Sequence, residues 1–332
     1  MSDQVFLIAI IGAALMYDFV NGFHDAANAI ATTITTHAMS PRNAILMALL
    51  FNFIGGLLHT AVAYTIGKGV VSSDLITLPI LLAAVLGAVL WGYFTWFLGL
   101  PSSSTHALVG GLMGVALFAY NFNFDVLIWS GIRKILIFMV ISPIIGIVLG
   151  IILMVIFSWS VWKVNYRKSA WVFKKLQVMS ASFVALTHGM NDAQNAMGVI
   201  TIALVATGIL GEFHVPLWVR VASATMMAWG TSVGGWRIIK TMGKKMTDMH
   251  EPIDGCAAEA AAGTSILVAS LVGAPISTTQ VATSSIAGTA VAHRLTNVRW
   301  SVIRNILLAW VFTFPGAGLF GIGAYILLNA IV

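Results

Sequence analysis

The sequence predicts an all-α integral membrane protein built from two inverted-topology repeats with broken helices and re-entrant hairpins. Composition makes the membrane assignment: of 332 residues, 59% are hydrophobic and 8% charged, against about 25% charged in an ordinary soluble domain. So few charges cannot coat a water-facing surface. Apolar stretches over Ala44–Ile66, Pro79–Leu98, Ile135–Val161 and Val302–Val332 match the roughly 20 residues that a helix needs to cross a bilayer. The third observation is that polar, helix-interrupting motifs occur twice, in the same order.

From the N-terminus, Val5–Met16 is apolar but lacks the basic leader of a secretory signal and runs directly into a polar motif, so it is expected to stay in the mature protein. That motif, Asn21–Ala29, reads NGFHDAANA, and His188–Ala196 answers it with HGMNDAQNA. Tyr64–Lys68 (YTIGK) is answered by Lys240–Lys244 (KTMGK), and Gly99–Thr105 (GLPSSST) by Gly273–Thr279 (GAPISTT). Ile132-Arg133 with Pro143 then corresponds to Ile303-Arg304 with Pro315. Weak internal symmetry of this kind is a hallmark of transporter folds.

Between the halves, Trp162–Lys175 carries five of the seventeen Lys and Arg. It divides the chain into a first membrane repeat (1–161), a basic cytoplasmic linker (162–175) and a second repeat (176–332). Two more basic clusters follow, Arg237, Lys240, Lys244 and Lys245, then Arg294, Arg299 and Arg304. The positive-inside rule places all three in the cytoplasm. If each half consists of a broken helix, a full helix, a re-entrant hairpin and a final helix, it crosses an odd number of times and the second half is inverted. Both termini are then extracellular. The net charge of +6 reads as topology signals and lipid contacts rather than nucleic-acid binding. The lone Cys256 excludes an intrachain disulfide framework and a multi-cysteine metal site.

Asp25 and Asp192 carry the most information, because a carboxylate inside an apolar membrane segment costs at least about 2.5 kcal/mol. Asn28 and Asn195 follow each by three residues, on the same helix face. Paired Asp and Asn oxygens suit a hard cation such as sodium, and an Asp alternatively takes a proton. Gly22 and Gly189 are expected to break the helix just before these residues, so that a restarting helix aims its free N–H groups at the gap. Gly110, Gly111 and Gly114 are read as packing residues.

Pro101-Ser102-Ser103-Ser104-Thr105 and Pro275-Ile276-Ser277-Thr278-Thr279 each sit between apolar stretches. Proline opens a helix well, and hydroxyls beside unpaired N–H groups at a helix start form an anion cradle. No basic residue lies inside any of these motifs, so an anion must be neutralised by dipoles and a cotransported cation, which argues for symport. Phosphate retains a proton that an Asp can accept in a hydrogen bond, whereas sulfate has none. His24 is a candidate for proton coupling, and His106 and His188 lie in or beside the motifs. No HExxH, nucleophile–base or P-loop pattern supports an enzyme. An uncoupled anion channel is the competing function of another class.

At these residues the chain resembles the inorganic phosphate transporter (PiT) family, over nearly its whole length and in both copies of both motifs. The resemblance implies import of phosphate on a sodium or proton gradient, without other cofactors, by a plasma-membrane protein of inverted repeats assembled as a homodimer. Carried over by motif, Asp25, Asn28, Asp192 and Asn195 form the cation site, and Ser103, Ser104, Thr105, Ser277, Thr278 and Thr279 the phosphate site. His24 stands where the family usually has Asn, and Gln280 stands where short bacterial members often have His; either departure bears on the coupling ion. The compact linker is similar to the short bacterial form, some members of which are sulfate permeases.

Overall fold

A backbone in a bilayer finds no water to bond, so Leu-, Ile-, Val- and Ala-rich stretches fold into helices that satisfy each N–H and C=O internally. The structure, a computed structural model, describes residues 2–72, 75–249 and 251–331. In the first half, α1 spans Asp3–Thr35, α2 Pro41–Leu58, α3 Ala61–Gly69, α4 Leu78–Leu98, α5 Ser104–Ala119 and α6 Trp129–Val161. In the second, α7 spans Tyr166–Ala206, α8 Leu217–Val233, α9 Trp236–Lys240, α10 Pro252–Leu271, α11 Thr278–His293 and α12 Trp300–Ile331. Five of these helices, α1, α2, α4, α6 and α12, are long and apolar enough to cross a membrane. Their outward positions, among them Ile137, Val140 and Ile144 on α6 and Val311 and Leu319 on α12, leave large apolar side chains exposed, as a lipid-facing surface requires. Of the basic segment Trp162–Lys175, a short turn joins α6 to α7 and the rest opens α7.

The breaks do not fall at Gly22 and Gly189, as the sequence suggested. Both glycines lie inside continuous helices, and neither is among the glycines with positive φ. Their small size is what matters: a Cβ on Gly22 would collide with the Met227 carbonyl of α8, and one on Gly189 with the Asn52 carbonyl of α2. The helices cross at backbone contact there, the packing use of glycine that membrane interfaces favour. Gly110 and Gly114 do the same, a Cβ meeting the Phe314 carbonyl at 2.6 Å and the Gly318 Cα at 2.7 Å on α12.

The second helix of each half is the discontinuous one. His59, in extended backbone (φ −144°, ψ 160°), separates α2 from α3, and Gly234, at φ +73° and ψ 128°, separates α8 from α9. At the first break the Gln194 side chain of α7 accepts from the N–H groups of Val62 and Ala63 (2.7 and 3.0 Å), satisfying two donors that a helix start leaves free.

Antiparallel hairpins follow, α4–α5 and α10–α11, each turning through a left-handed glycine, Gly99 (φ +68°) and Gly273 (φ +62°). The last helix of each half then crosses over: α6 packs along α10 and α11, and α12 along α4 and α5. The two halves therefore interlock, and each hairpin is wrapped by its opposite half.

Candidate functional site

The tips of the two hairpins meet the middles of α1 and α7. Ser103 caps α5 by accepting from His106 N–H (3.2 Å), and Ser277 caps α11 by accepting from Gln280 N–H (3.1 Å). An N-cap serine satisfies one of the free amides of the first turn. The next two residues of each helix, Ser104 and Thr105, Thr278 and Thr279, reach toward α1 and α7 with their hydroxyls. Positive helix ends and hydroxyls thus face the same place.

Five hydrogen bonds build the centre. Ser104 donates to Asp25 (3.2 Å) and Thr278 to Asp192 (2.9 Å), each within one half. Asn28 donates to Thr279 (3.1 Å) and Thr278 (3.4 Å), and Asn195 to Thr105 (2.8 Å), each reaching into the other half. Asp25 and Asp192 are thus each tied to their own hairpin, and Asn28 and Asn195 each to the opposite one. All of these side chains are buried except Ser104, which is partly exposed.

Histidine takes part at both aspartates, from different positions. His24 Nδ1 lies 2.6 Å from Asp25 Oδ1, and His24 Nε2 lies 3.1 Å from the Thr95 hydroxyl. On α7, His188 Nε2 is 3.3 Å from Asp192 Oδ2, one turn before it, and His188 Nδ1 bonds Asn52. Asn21 and Asn191 occupy the reciprocal places, so His and Asn are exchanged between the repeats. Ligand atoms of Asp25, His188 and Asp192 lie within 4.8 Å of one another. His106, by contrast, points away from the carboxylates and stacks on Phe314 (5.1 Å between centroids).

Several oxygens at this centre accept nothing from the protein: Asn28 Oδ1, Asn195 Oδ1, Asn191 Oδ1 and Asp192 Oδ1 are buried without a donor. Buried acceptors lacking donors call for an explanation, and a hard cation supplies one, since it seeks carboxylate and amide oxygens. The donor set thus fits an alkali cation, while the hydroxyls and helix starts fit an anion beside it.

Two carboxylates escape reasoning from the repeat. Glu259 on α10 accepts from Thr32 (2.6 Å), Thr33 (2.7 Å), Gln177 (3.0 Å) and Ser180 (2.6 Å). Asp18, two turns before Asp25, has zero exposure and neither oxygen partnered. Both are carboxylates within largely apolar helices, the signal that singled out Asp25. Their places in the other half are Val85 and Ala185, so a search for recurring motifs passes over them.

The hairpin tips are held from outside by matching bonds. Thr65 of α3 donates to the Gly273 carbonyl, and Thr241, just after α9, to the Gly99 carbonyl, both at 2.8 Å. Lys134 adds a bond to Gly273 (3.2 Å), and Arg237 one to Phe97. Each tip is therefore fastened to the broken helix of the opposite half.

Residues 21–321 match the profile of the phosphate transporter family. The chain is 42% identical to a probable low-affinity inorganic phosphate transporter of Bacillus subtilis, over 98% of each chain. It is 42% identical to another of Rhizobium meliloti, over 94% of this chain and 93% of that one. Among solved structures it is similar to a sodium-dependent phosphate transporter, with a TM-score of 0.90, 24% identity and coverage of 99% of this chain and 100% of that one.

Proposed function

The chain belongs to the phosphate transporter family, a family of membrane transporters rather than enzymes, and from that premise we propose that it imports inorganic phosphate by symport with a cation. The observation that carries this reading is the reciprocal centre, where two aspartates and two asparagines are tied to two hydroxyl-rich helix starts with no lysine or arginine among them.

Phosphate sits between the first turns of α5 and α11, receiving N–H and hydroxyl donors from Ser104, Thr105, Thr278 and Thr279, with the caps Ser103 and Ser277 holding those turns in place. Asp25 and Asp192, with the free oxygens of Asn28 and Asn195, hold the cation. Two buried carboxylates repel an oxyanion, and a bound cation removes that repulsion. Anion binding thus requires cation binding, which is the thermodynamic content of symport. Each asparagine bonds the opposite hairpin, so loading one half alters the other's cradle. The order of the elements in the two halves supports an inverted repeat with extracellular termini, in which the halves rock about the shared site.

Radiolabelled phosphate uptake into proteoliposomes under imposed sodium or proton gradients tests the reading. Uptake that follows one of these gradients and survives excess sulfate is expected. Sulfate uptake indifferent to excess phosphate would reassign the cargo. Currents exceeding any transport cycle, without dependence on a cation gradient, would make the protein a channel.

A further inference from the structure

The polar face of α1 is longer than that of α7. Asp18, Asn21, Asp25, Asn28 and Thr32 recur at spacings of three and four residues, which lie above one another on a single helix face. The matching positions of α7 are Ala185, His188, Asp192, Asn195 and Val199, so the first repeat alone places a carboxylate two turns before the central aspartate. Asp18 is fully buried, neither of its oxygens accepts a hydrogen bond, and it makes no ion pair among the described residues.

Its surroundings offer polarity but no positive charge. Ser223 of α8 faces the carboxylate, and its hydroxyl is also without a partner. Asn21, one turn on, has both amide atoms unpartnered and is 1% exposed. The titratable groups that act on the region are Asp192 from α7 and, on α1 itself, Tyr17 and Asp25. Arg220 of α8 turns away to the Leu57 carbonyl, and Tyr93 of α4 to the Met16 sulfur. An ionised carboxylate enclosed without counter-charge is strongly disfavoured, whereas the protonated acid carries no net charge and has one O–H to offer an acceptor. Asn21 and Ser223 hold such free acceptors.

We propose that Asp18 is a proton-binding station of the transport cycle, loading one proton from water on the N-terminal side of the central site and releasing it as the chain changes state. No bond other than the carboxyl O–H forms or breaks. The proton enters as the carboxylate closes into its buried setting and leaves when that setting hydrates. The proposal rests on the transport reading above and specifies its coupling: part of the driving force is a proton taken up outside the Asp25–Asp192 centre. Because Asp18 makes no hydrogen bond to the hydroxyl cradle, its loss separates coupling from phosphate exchange.

The test uses the full chain in proteoliposomes, with labelled inorganic phosphate and an entrapped pH dye. Wild type should take up protons together with phosphate, and a pH gradient of one unit should raise its accumulation by up to about tenfold per coupled proton. Asp18→Asn, which mimics the protonated acid, should keep phosphate–phosphate exchange within about twofold while losing that response; Asp18→Glu should restore it in part. Asp18→Asn that still accumulates phosphate on a pH gradient as wild type does overturns the proposal. So does a variant that is folded but has lost exchange, since Asp18 then serves the anion. Wild-type uptake that follows sodium with no proton entry overturns it without recourse to any variant. A wild type showing neither exchange nor uptake of phosphate rejects the transport reading instead.

Discussion

The two halves of this protein differ least where Asp25 and Asp192 meet the hairpin tips and most about two turns away along α1. At the centre each residue has a counterpart making the corresponding bond: Ser104 to Asp25 and Thr278 to Asp192, Asn28 to Thr279 and Asn195 to Thr105. Beyond it the correspondence ends. Where the end of α1 meets α7 and α10, Thr32 and Thr33 of the first half and Gln177, Ser180 and Glu259 of the second form a buried hydrogen-bonded knot, whereas their counterparts Val199, Ile200, Ile10, Ala13 and Val85 pack as apolar core. The central bonds are shared because both halves meet there and each supplies partners to the other. Positions away from that reciprocal centre are free to diverge, and they are where polarity was added or left out.

The widest divergence predicts the largest effect. Glu259→Ala leaves three hydroxyls and an amide buried without their acceptor, and is expected to destabilise the protein by about 3–5 kcal/mol. Val85→Ala, at the matching place, removes two methyl groups and should cost only about 1–2 kcal/mol. Denaturation of both variants in detergent compares them directly, and equal losses would break the asymmetry argument.

At the symmetric centre the prediction is equality. Asp25→Asn and Asp192→Asn should each lower cation-driven phosphate uptake by about two orders of magnitude, the equivalent of about 3 kcal/mol for one lost partner of a buried ion, with normal membrane insertion. Uptake close to wild type in either variant would show that the two carboxylates do not share one task.

Asn28→Ala and Asn195→Ala each remove a bond that joins the halves, expected at about 1–2 kcal/mol, or roughly tenfold in the apparent affinity for phosphate or cation. The double variant should lose less than the sum of the two if the bonds act through one rocking motion. Strict additivity in half-saturation measurements would argue that the hairpins respond independently.

The smallest effects belong to the fastenings of the hairpins. Thr65→Val and Thr241→Val keep side-chain volume but remove the bonds to Gly273 and Gly99, each worth about 1 kcal/mol. Hydrogen exchange at the tips should quicken by about fivefold with little change in global stability. A tip whose protection is unaltered is held by something other than its threonine.

Much of the site was legible because charge in a bilayer is expensive and a repeat shows which charges recur. Asp25, Asn28, Asp192 and Asn195 stood out on that ground, and the structure brings them to the Ser and Thr residues that follow Gly99 and Gly273. The same filter hid Glu259 and Asp18, whose counterparts are Val85 and Ala185. Gly22 and Gly189 misled because glycine serves both to break a helix and to let two backbones touch. The one-dimensional pattern carries no sign of which use applies, since the colliding atoms belong to Met227 and Asn52, far along the chain.

By itself, then, the sequence determined the solvent of this protein, its helical class, its duplication and the polar residues that both copies retain, all of which follow from composition and local spacing. Only the tertiary structure decided where the helices break, that α6 and α12 cross to wrap the opposite hairpins, and that Asn28 and Asn195 bond the other half while Asp25 and Asp192 bond their own. Those are choices of partner between segments more than 70 residues apart, and no local propensity encodes them. Packing of glycine-lined helix surfaces selects the crossings, and the need to satisfy every polar group away from water selects the partners.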